Sequence, residues 1–229
     1  MFSLVLPAKN EGKKLEKAVE EARKTLKGIP HEIILAESGS TDDTVAIART
    51  LEKKYSDVKL IRTERGKGAA ISEAFEKARG EKLGFMDVDL ATNPRHLIEL
   101  IRYLDGYELA VGSRYLSESK AERSWKRGFF GRFYTLLVRL LFGSKIMDYQ
   151  CGFKGITKKA FMQIVKEIKA TGFFWDTELL VLAQRHGFKI KEFPVEWTER
   201  KETTLNLWKT VPRMAVNLIE LRLRLWFSR

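Results

Sequence analysis

A mostly parallel α/β sheet flanked by helices is the fold this sequence predicts, and three observations carry the prediction. Short apolar runs alternate with helix-spaced segments over residues 2–90, and a parallel return between strands needs a crossover helix. Turn-forming clusters stand at the carboxyl ends of three of those runs: Pro7-Ala8-Lys9-Asn10-Glu11, Glu37-Ser38-Gly39-Ser40-Thr41-Asp42 and Asp87-Val88-Asp89. Open parallel sheets bind ligands along that edge, so three such turns are placed to converge on one ligand, although each alone is also ordinary loop chemistry. The 229 residues, 44% hydrophobic, suffice for one large domain or two small ones with a packed core.

Phe2 to Leu6 reads as a buried strand ending at Pro7, and Lys13 to Lys27 follows with helical spacing at Leu15, Ala18, Val19, Ala22 and Leu26. His31 to Ala36 is a second strand, after which Ser40-Thr41-Asp42-Asp43 caps a helix over Thr44 to Lys54. Val58 to Arg62 is a third strand. A basic, glycine-rich turn, Arg65-Gly66-Lys67-Gly68, opens a helix over Ala69 to Ala78, and the strand beginning at Lys82 runs into Asp87. A helix from Pro94 to Leu104 and a strand from Tyr107 to Val111 lead to Gly112-Ser113-Arg114-Tyr115.

Two later segments have a different character. Phe129 to Phe142 is apolar around most of its circumference, with Arg132 and Arg139 seven apart on one stripe. Val211 to Arg229 sets Met214, Leu218, Leu221, Leu225 and Trp226 beside Arg213, Arg222, Arg224 and Arg229. Both are expected as amphipathic helices lying in a headgroup layer; the alternative is packing on the sheet or on each other, with the arginines in water.

A formal charge of +12 and a pI near 9.7 call for an anionic partner: a nucleic acid, a phosphorylated substrate or an acidic membrane surface. No zinc-finger spacing and no aromatic-basic RNA motif is present, which disfavours a nucleic acid. Cys151 is the single cysteine, so no internal disulfide or cysteine zinc site forms, and a reducing compartment is expected. Met1 to Leu6 is too short for a signal peptide and no run spans a bilayer, so a peripheral protein on the cytoplasmic face is expected. Asp87 and Asp89, one residue apart at a strand's end, project to one side. Two hard oxygen ligands so placed suit a Mg²⁺ or Mn²⁺ already bound to phosphates; a turn or helix cap is the alternative.

The set PAKNE, ESGSTDDT and DVD resembles the nucleotide-sugar domain of family-2 glycosyltransferases with the GT-A fold, although Lys9 stands where many relatives have Tyr and Glu37-Ser38 where many have Asp-Asp. The second half, with Gly112-Ser113-Arg114, Gln150-Cys151-Gly152-Phe153-Lys154, Phe174-Trp175-Asp176-Thr177-Glu178 and Pro194-Val195-Glu196-Trp197, is similar to the dolichyl-phosphate sugar synthases. Its Gln-Cys-Gly-Phe-Lys wording leans toward the glucosyl members. The resemblance implies a catalytic domain over 1–200, divided into a nucleotide-sugar half (1–115) and an acceptor half (116–200, with amphipathic helix 126–142), and a basic amphipathic segment over 201–229. It implies that Pro7, Ala8, Glu11, Glu37, Ser38 and Gly68 line the nucleotide sugar, with Glu37 at the base or ribose. Asp87 and Asp89 would hold Mg²⁺ or Mn²⁺ on the diphosphate. Arg114, Arg127, Gln150 and Arg200 would gather the acceptor phosphate. Asp89, Arg114 and Asp176 form the implied catalytic set, Asp176 as base, helix cap or acceptor-positioning group. The implied reaction is inverting transfer of a hexose from UDP-glucose or GDP-mannose to dolichyl or another polyprenyl phosphate at an anionic membrane surface. Transfer to a non-lipid acceptor stays open.

Overall fold

The computed structural model describes residues 1–63, 65–122, 125–199 and 207–227, with the backbone alone at 125–127 and 207–212. Strand β1 (Phe2–Ala8) is buried along its whole length, as expected of a central parallel strand covered on both faces. It pairs in parallel with β2 (His31–Glu37) and β4 (Lys82–Met86), and β2 pairs with β3 (Val58–Arg62). The crossovers are α1 (Gly12–Thr25), α2 (Thr44–Lys54) and α3 (Lys67–Lys77). β1 runs two residues beyond Leu6. The β4 ladder stops at Val5, so Pro7 sits where β1 has a strand partner on one side only and its missing N–H is tolerated.

The second half completes the same sheet. After a 3₁₀ turn at Pro94–His96 come α4 (Leu97–Tyr103), β5 (Leu109–Ser113), β6 (Lys120–Glu122) and α5 (Trp125–Phe142). Then follow β7 (Phe153–Thr157), α6 (Lys158–Ile164), α7 (Trp175–Arg185), β8 (Ile190–Pro194), β9 (Glu196–Thr198) and α8 (Leu207–Phe227). β5 starts two residues later than the sequence suggests, because the Tyr107 amide still bonds back to the Tyr103 carbonyl at 3.0 Å and prolongs the end of α4.

The seven-stranded order is β3-β2-β1-β4-β7-β5-β8, and β6 pairs with β9 separately. β7 alone is antiparallel to its neighbours in the large sheet. On one face α1, α2 and α4 bury Leu15, Val19, Ala48, Leu51, Leu97 and Leu100. On the other, α3 and α5 to α8 bury Ile71, Phe75, Val138, Phe161, Leu180 and Leu218. The reversal of β7 matters for the site, since it brings the turn that enters the strand, residues 148–152, to the edge where the parallel strands exit.

Two helices leave apolar side chains uncovered. α5 exposes Phe129, Phe133, Leu136 and Leu140, spaced for one helical face, with Arg132 and Arg139 also exposed. α8 buries Leu218, Leu221 and Leu225 but exposes Val216, Ile219, Leu223, Trp226 and Phe227, with Arg222 stacked 5.3 Å from the Trp226 ring. Among the described residues no helix is long and apolar enough to cross a membrane.

Candidate active site

The exits of β1, β2, β4 and β5 meet the starts of α3 and α7 and the turn at 148–152 along the carboxyl edge of the parallel strands. The exits of β1 and β2 are tied together first. The Asn10 amide donates to Ser40 Oγ at 3.0 Å, Asn10 Oδ1 accepts from the Thr41 amide at 2.8 Å, and the Ser38 amide donates to the Ala8 carbonyl at 3.0 Å. Asn10 takes φ +56°, a left-handed conformation that Asn adopts readily. The Glu11 amide reaches Thr44 Oγ1 at 2.9 Å. The cap of α2 comes from Asp42, whose Oδ1 accepts from the Thr44 amide at 3.0 Å, while Asp43 occupies the capping position without a side-chain bond.

Pro7 and Ala8 are the buried last residues of β1, and Ser38 is buried beside them. Glu37 is buried as well. One of its oxygens accepts from the Ser40 amide and the other from Arg62 Nε at 3.0 Å. Burial pushes its carboxyl up, but the Ser40 amide and Arg62 outweigh that and hold it below the usual carboxylate range. In this structure Glu37 therefore orders its own loop. Gly68 lies buried in the first turn of α3, where an added Cβ would come within 2.4 Å of Trp175 Cβ, so its smallness lets α3 meet the start of α7.

The exit of β4 carries the two acids. The Asp87 amide donates to the Gly152 carbonyl at 3.0 Å, and a Cβ on Gly152 would stand 1.9 Å from Asp87 Oδ2, so only glycine fits there. Asp87 Oδ1 accepts from Lys67 Nζ at 2.6 Å. Asp89 Oδ1 accepts from the Ala91 amide at 2.9 Å, the local turn bond that the simpler reading of Asp-x-Asp foresees. Burial and then the charge of Asp87 push the Asp89 carboxyl above its ordinary value. A partly buried pair of like charges with hard oxygen donors fits a divalent cation. Among the described residues no third acid, cysteine or histidine joins them.

Lys67, the first residue of α3, is the member of the site that the sequence reading leaves out. Burial works against its charge, but Asp87, Asp176 and Asp89 together hold its pKa above the usual lysine value. A signal was available, since a cation at a helix's first position opposes the helix dipole. The rings of Phe85 and Phe173 lie 5.7 and 5.8 Å from its Nζ.

At the start of α7, Asp176 forms a buried ion pair with Lys154 at 2.6 Å, and Lys154 also donates to the Cys151 carbonyl. Asp176 does not cap α7, as the sequence suggests it could: Phe174 is the capping residue and makes no side-chain cap, and Asp176 stands within the first turn. Glu178, in the same turn, is buried as well. It accepts from the Lys169 and Ala170 amides at 3.0 and 2.6 Å and pairs with Arg224 of α8.

Arg114 gives its amide, Nε and Nη2 to Asp148 at 2.9, 2.7 and 2.8 Å. Despite burial, that guanidinium holds the Asp148 carboxyl below the usual range. The fork thus braces the exit of β5 against the turn entering β7. Gln150, in that turn, donates to Thr177 Oγ1 at 2.9 Å, and Thr177 also meets the Tyr134 hydroxyl at 2.7 Å, linking the turn to α7 and α5. Arg127 lies on the first turn of α5, where only the backbone is described, and Arg200 and Arg229 lie outside the described residues. Cys151 is buried, which pushes its thiol up to about 11, so it is no nucleophile at neutral pH. Between residues 169–174 and α8 opens a cavity of about 790 Å³ whose lining includes Arg65, Lys169, Phe173, Met214, Leu221 and Arg224.

Comparison with known proteins agrees with this geometry. The family model described as glycosyl transferase family 2 matches residues 3–165. Glycosyltransferase AglD of Haloferax volcanii is 39% identical over 234 residues, 99% of this chain, which spans 37% of that protein's length. The human dolichyl-phosphate beta-glucosyltransferase is 31% identical over 243 residues, covering 97% of this chain and 75% of the human one. A crystal structure of glucosyl-3-phosphoglycerate synthase from Mycobacterium tuberculosis with Mn²⁺, uridine diphosphate and glucosyl-3-phosphoglycerate superimposes with a TM-score of 0.72 at 21% identity, over 98% of this chain and 79% of that one. With its edge loops, its acid pair and its mixed sheet accounted for, the chain belongs to glycosyl transferase family 2, as a GT-A glycosyltransferase of the dolichyl-phosphate sugar synthase type.

Proposed function

We propose that this glycosyltransferase moves glucose from UDP-glucose to dolichyl phosphate, with inversion and with a divalent metal ion, on the cytoplasmic face of a membrane. The observation that carries the donor side is the acid pair Asp87 and Asp89 at the exit of β4, beside the tied loops of β1 and β2. Similarity to the human dolichyl-phosphate beta-glucosyltransferase supports the sugar and the acceptor. When bound, the ion supplies Lewis-acid neutralisation of the diphosphate. Pro7, Ala8, Glu11, Ser38 and Gly68 frame the nucleotide sugar, with Glu37 holding the loop that faces it.

The acceptor phosphate monoester has a second pKa of about 6 and is largely dianionic at neutral pH, so it needs gathering more than deprotonation. One of its oxygens attacks the anomeric carbon, the bond from that carbon to the diphosphate breaks, and UDP leaves. Asp176, paired with Lys154, then acts by fixing the floor of the acceptor site. Arg127, Arg200 and Gln150 gather the phosphate, and Arg114 acts one step removed, by holding through Asp148 the turn that carries Gln150.

The membrane contact rests on the uncovered faces of α5 and α8. Phe129, Phe133, Leu136 and Leu140 are 48–74% exposed beside Arg132 and Arg139, a composition suited to acyl chains below and lipid phosphates around. The deciding experiment measures transfer from UDP-glucose and from GDP-mannose, each with and without polyprenyl phosphate. Glucosyl lipid formed only from UDP-glucose, and abolished by chelation, is the expected result. Mannosyl lipid, or product made without the lipid, overturns the assignment.

A further inference from the structure

Lys67 stands in an unusual position. The chain reaches it through Gly66 at φ +106°, where a Cβ would also press to 2.8 Å on the Thr171 carbonyl, so the approach to α3 is built for one backbone path. That path delivers an ammonium to Asp87 Oδ1 at 2.6 Å, between the rings of Phe85 and Phe173. Asp176 does not need this cation, since Lys154 already pairs with it at 2.6 Å. The Asp87 carboxylate lies against Gly152, Oδ2 nearer than Oδ1, and Lys67 covers Oδ1.

From this geometry we infer that Lys67 is a resident counter-cation: it occupies Asp87 in the empty enzyme, must leave when the metal ion enters, and then takes the nucleotide's diphosphate as its new partner. The inference rests on the reading of Asp87 and Asp89 as the metal ligands. Two cations cannot share Oδ1 at contact distance without mutual repulsion. A lysine ammonium is a compact charge on a flexible four-carbon stem, so it can swing without moving α3. Metal alone therefore binds against the cost of displacing Lys67. Metal together with a diphosphate binds without that loss, because the displaced ammonium meets phosphate oxygens. Lys67 thus couples metal to nucleotide as a positioning residue.

The test is binding of Mn²⁺ alone, followed by electron paramagnetic resonance, with and without UDP. In the unaltered protein UDP should tighten Mn²⁺ on the order of tenfold, a usual size for such coupling. Lys67→Met should bind Mn²⁺ alone more tightly, by a similar factor, and lose most of the UDP effect; Lys67→Arg should restore both. A thermal melt establishes that each variant is folded. Mn²⁺ binding that is unchanged or weaker in folded Lys67→Met overturns the counter-cation role while leaving the metal site intact. Mn²⁺ binding that survives in Asp89→Ala and in Asp87→Asn overturns the metal reading itself, and the inference with it.

Discussion

Asp148 shows how one buried side chain braces the candidate site through its protein partners. It is 1% exposed and binds Arg114 through three donors, and its own Oδ1 also caps the Gln150 amide at 3.1 Å. Removing one member of a buried pair strands the other charge, so Asp148→Asn should lower unfolding free energy by about 3–5 kcal/mol in a denaturant titration. The pH dependence follows from the sign of the shift. Its folded-state pKa lies below the unfolded value of roughly 3.9, so its stabilisation is complete above that value and is lost as pH falls through the folded one. Thermal melting of the unaltered protein should therefore fall steeply below about pH 4, and Asp148→Asn should be flatter in that window. At this scale the acids were legible and their partners were not. The Asp-x-Asp pattern was visible, but β4 ends at Met86 and a turn, not the strand alternation expected, sets the two acids, while the pairs Arg114–Asp148 and Lys67–Asp87 join positions far apart in sequence. An arginine after a strand looks the same whether it awaits a phosphate or already holds a carboxylate.

Among the elements, α5 and α8 carry the clearest test. Leu140 is 74% exposed on the uncovered face of α5, so Leu140→Glu should change stability by less than about 0.5 kcal/mol while placing a charge where lipid would sit. Flotation with anionic vesicles at low salt should lose a large part of the bound fraction, with an unchanged melting temperature; undiminished flotation would remove α5 from the membrane contact. Apolar periodicity gave β1 to β5 and most helices to within two or three residues, because burial on one face writes itself into spacing. It gave neither β7 as a strand nor its direction. An apolar run has no arrow, and the reversal depends on which edge of β4 is open when the chain returns.

For the molecule as a whole, α8 is docked by Arg224 onto Glu178, which in turn holds the Lys169 and Ala170 amides, and the following Thr171 carbonyl takes the Ala69 amide of α3 at 3.1 Å. Arg224→Ala should therefore speed hydrogen exchange at Lys169 and Ala170 well before global unfolding, since locally held segments open at lower free energy. The α/β class was legible from the first ninety or so residues, as alternating strands and helices leave few other architectures. How the second half closes over the edge was not, because it is set by contacts between distant segments.

The antiparallel strand β7 has a bearing on how the protein is made. β4 gains its second neighbour only when β7 arrives, and the Asp87 amide finds its acceptor only on Gly152. A nascent chain emerging from the ribosome thus carries the β1, β2 and β4 edge motifs long before they are held in their final arrangement, since non-local pairings form late. A fragment ending at Tyr115 should expose β4 as a bare edge, self-associate and fail to bind Mn²⁺ in the resonance assay, although its Asp-Val-Asp is intact. A premature stop anywhere before β7 would have the same outcome: a polypeptide that bears the family's signature and cannot act on it.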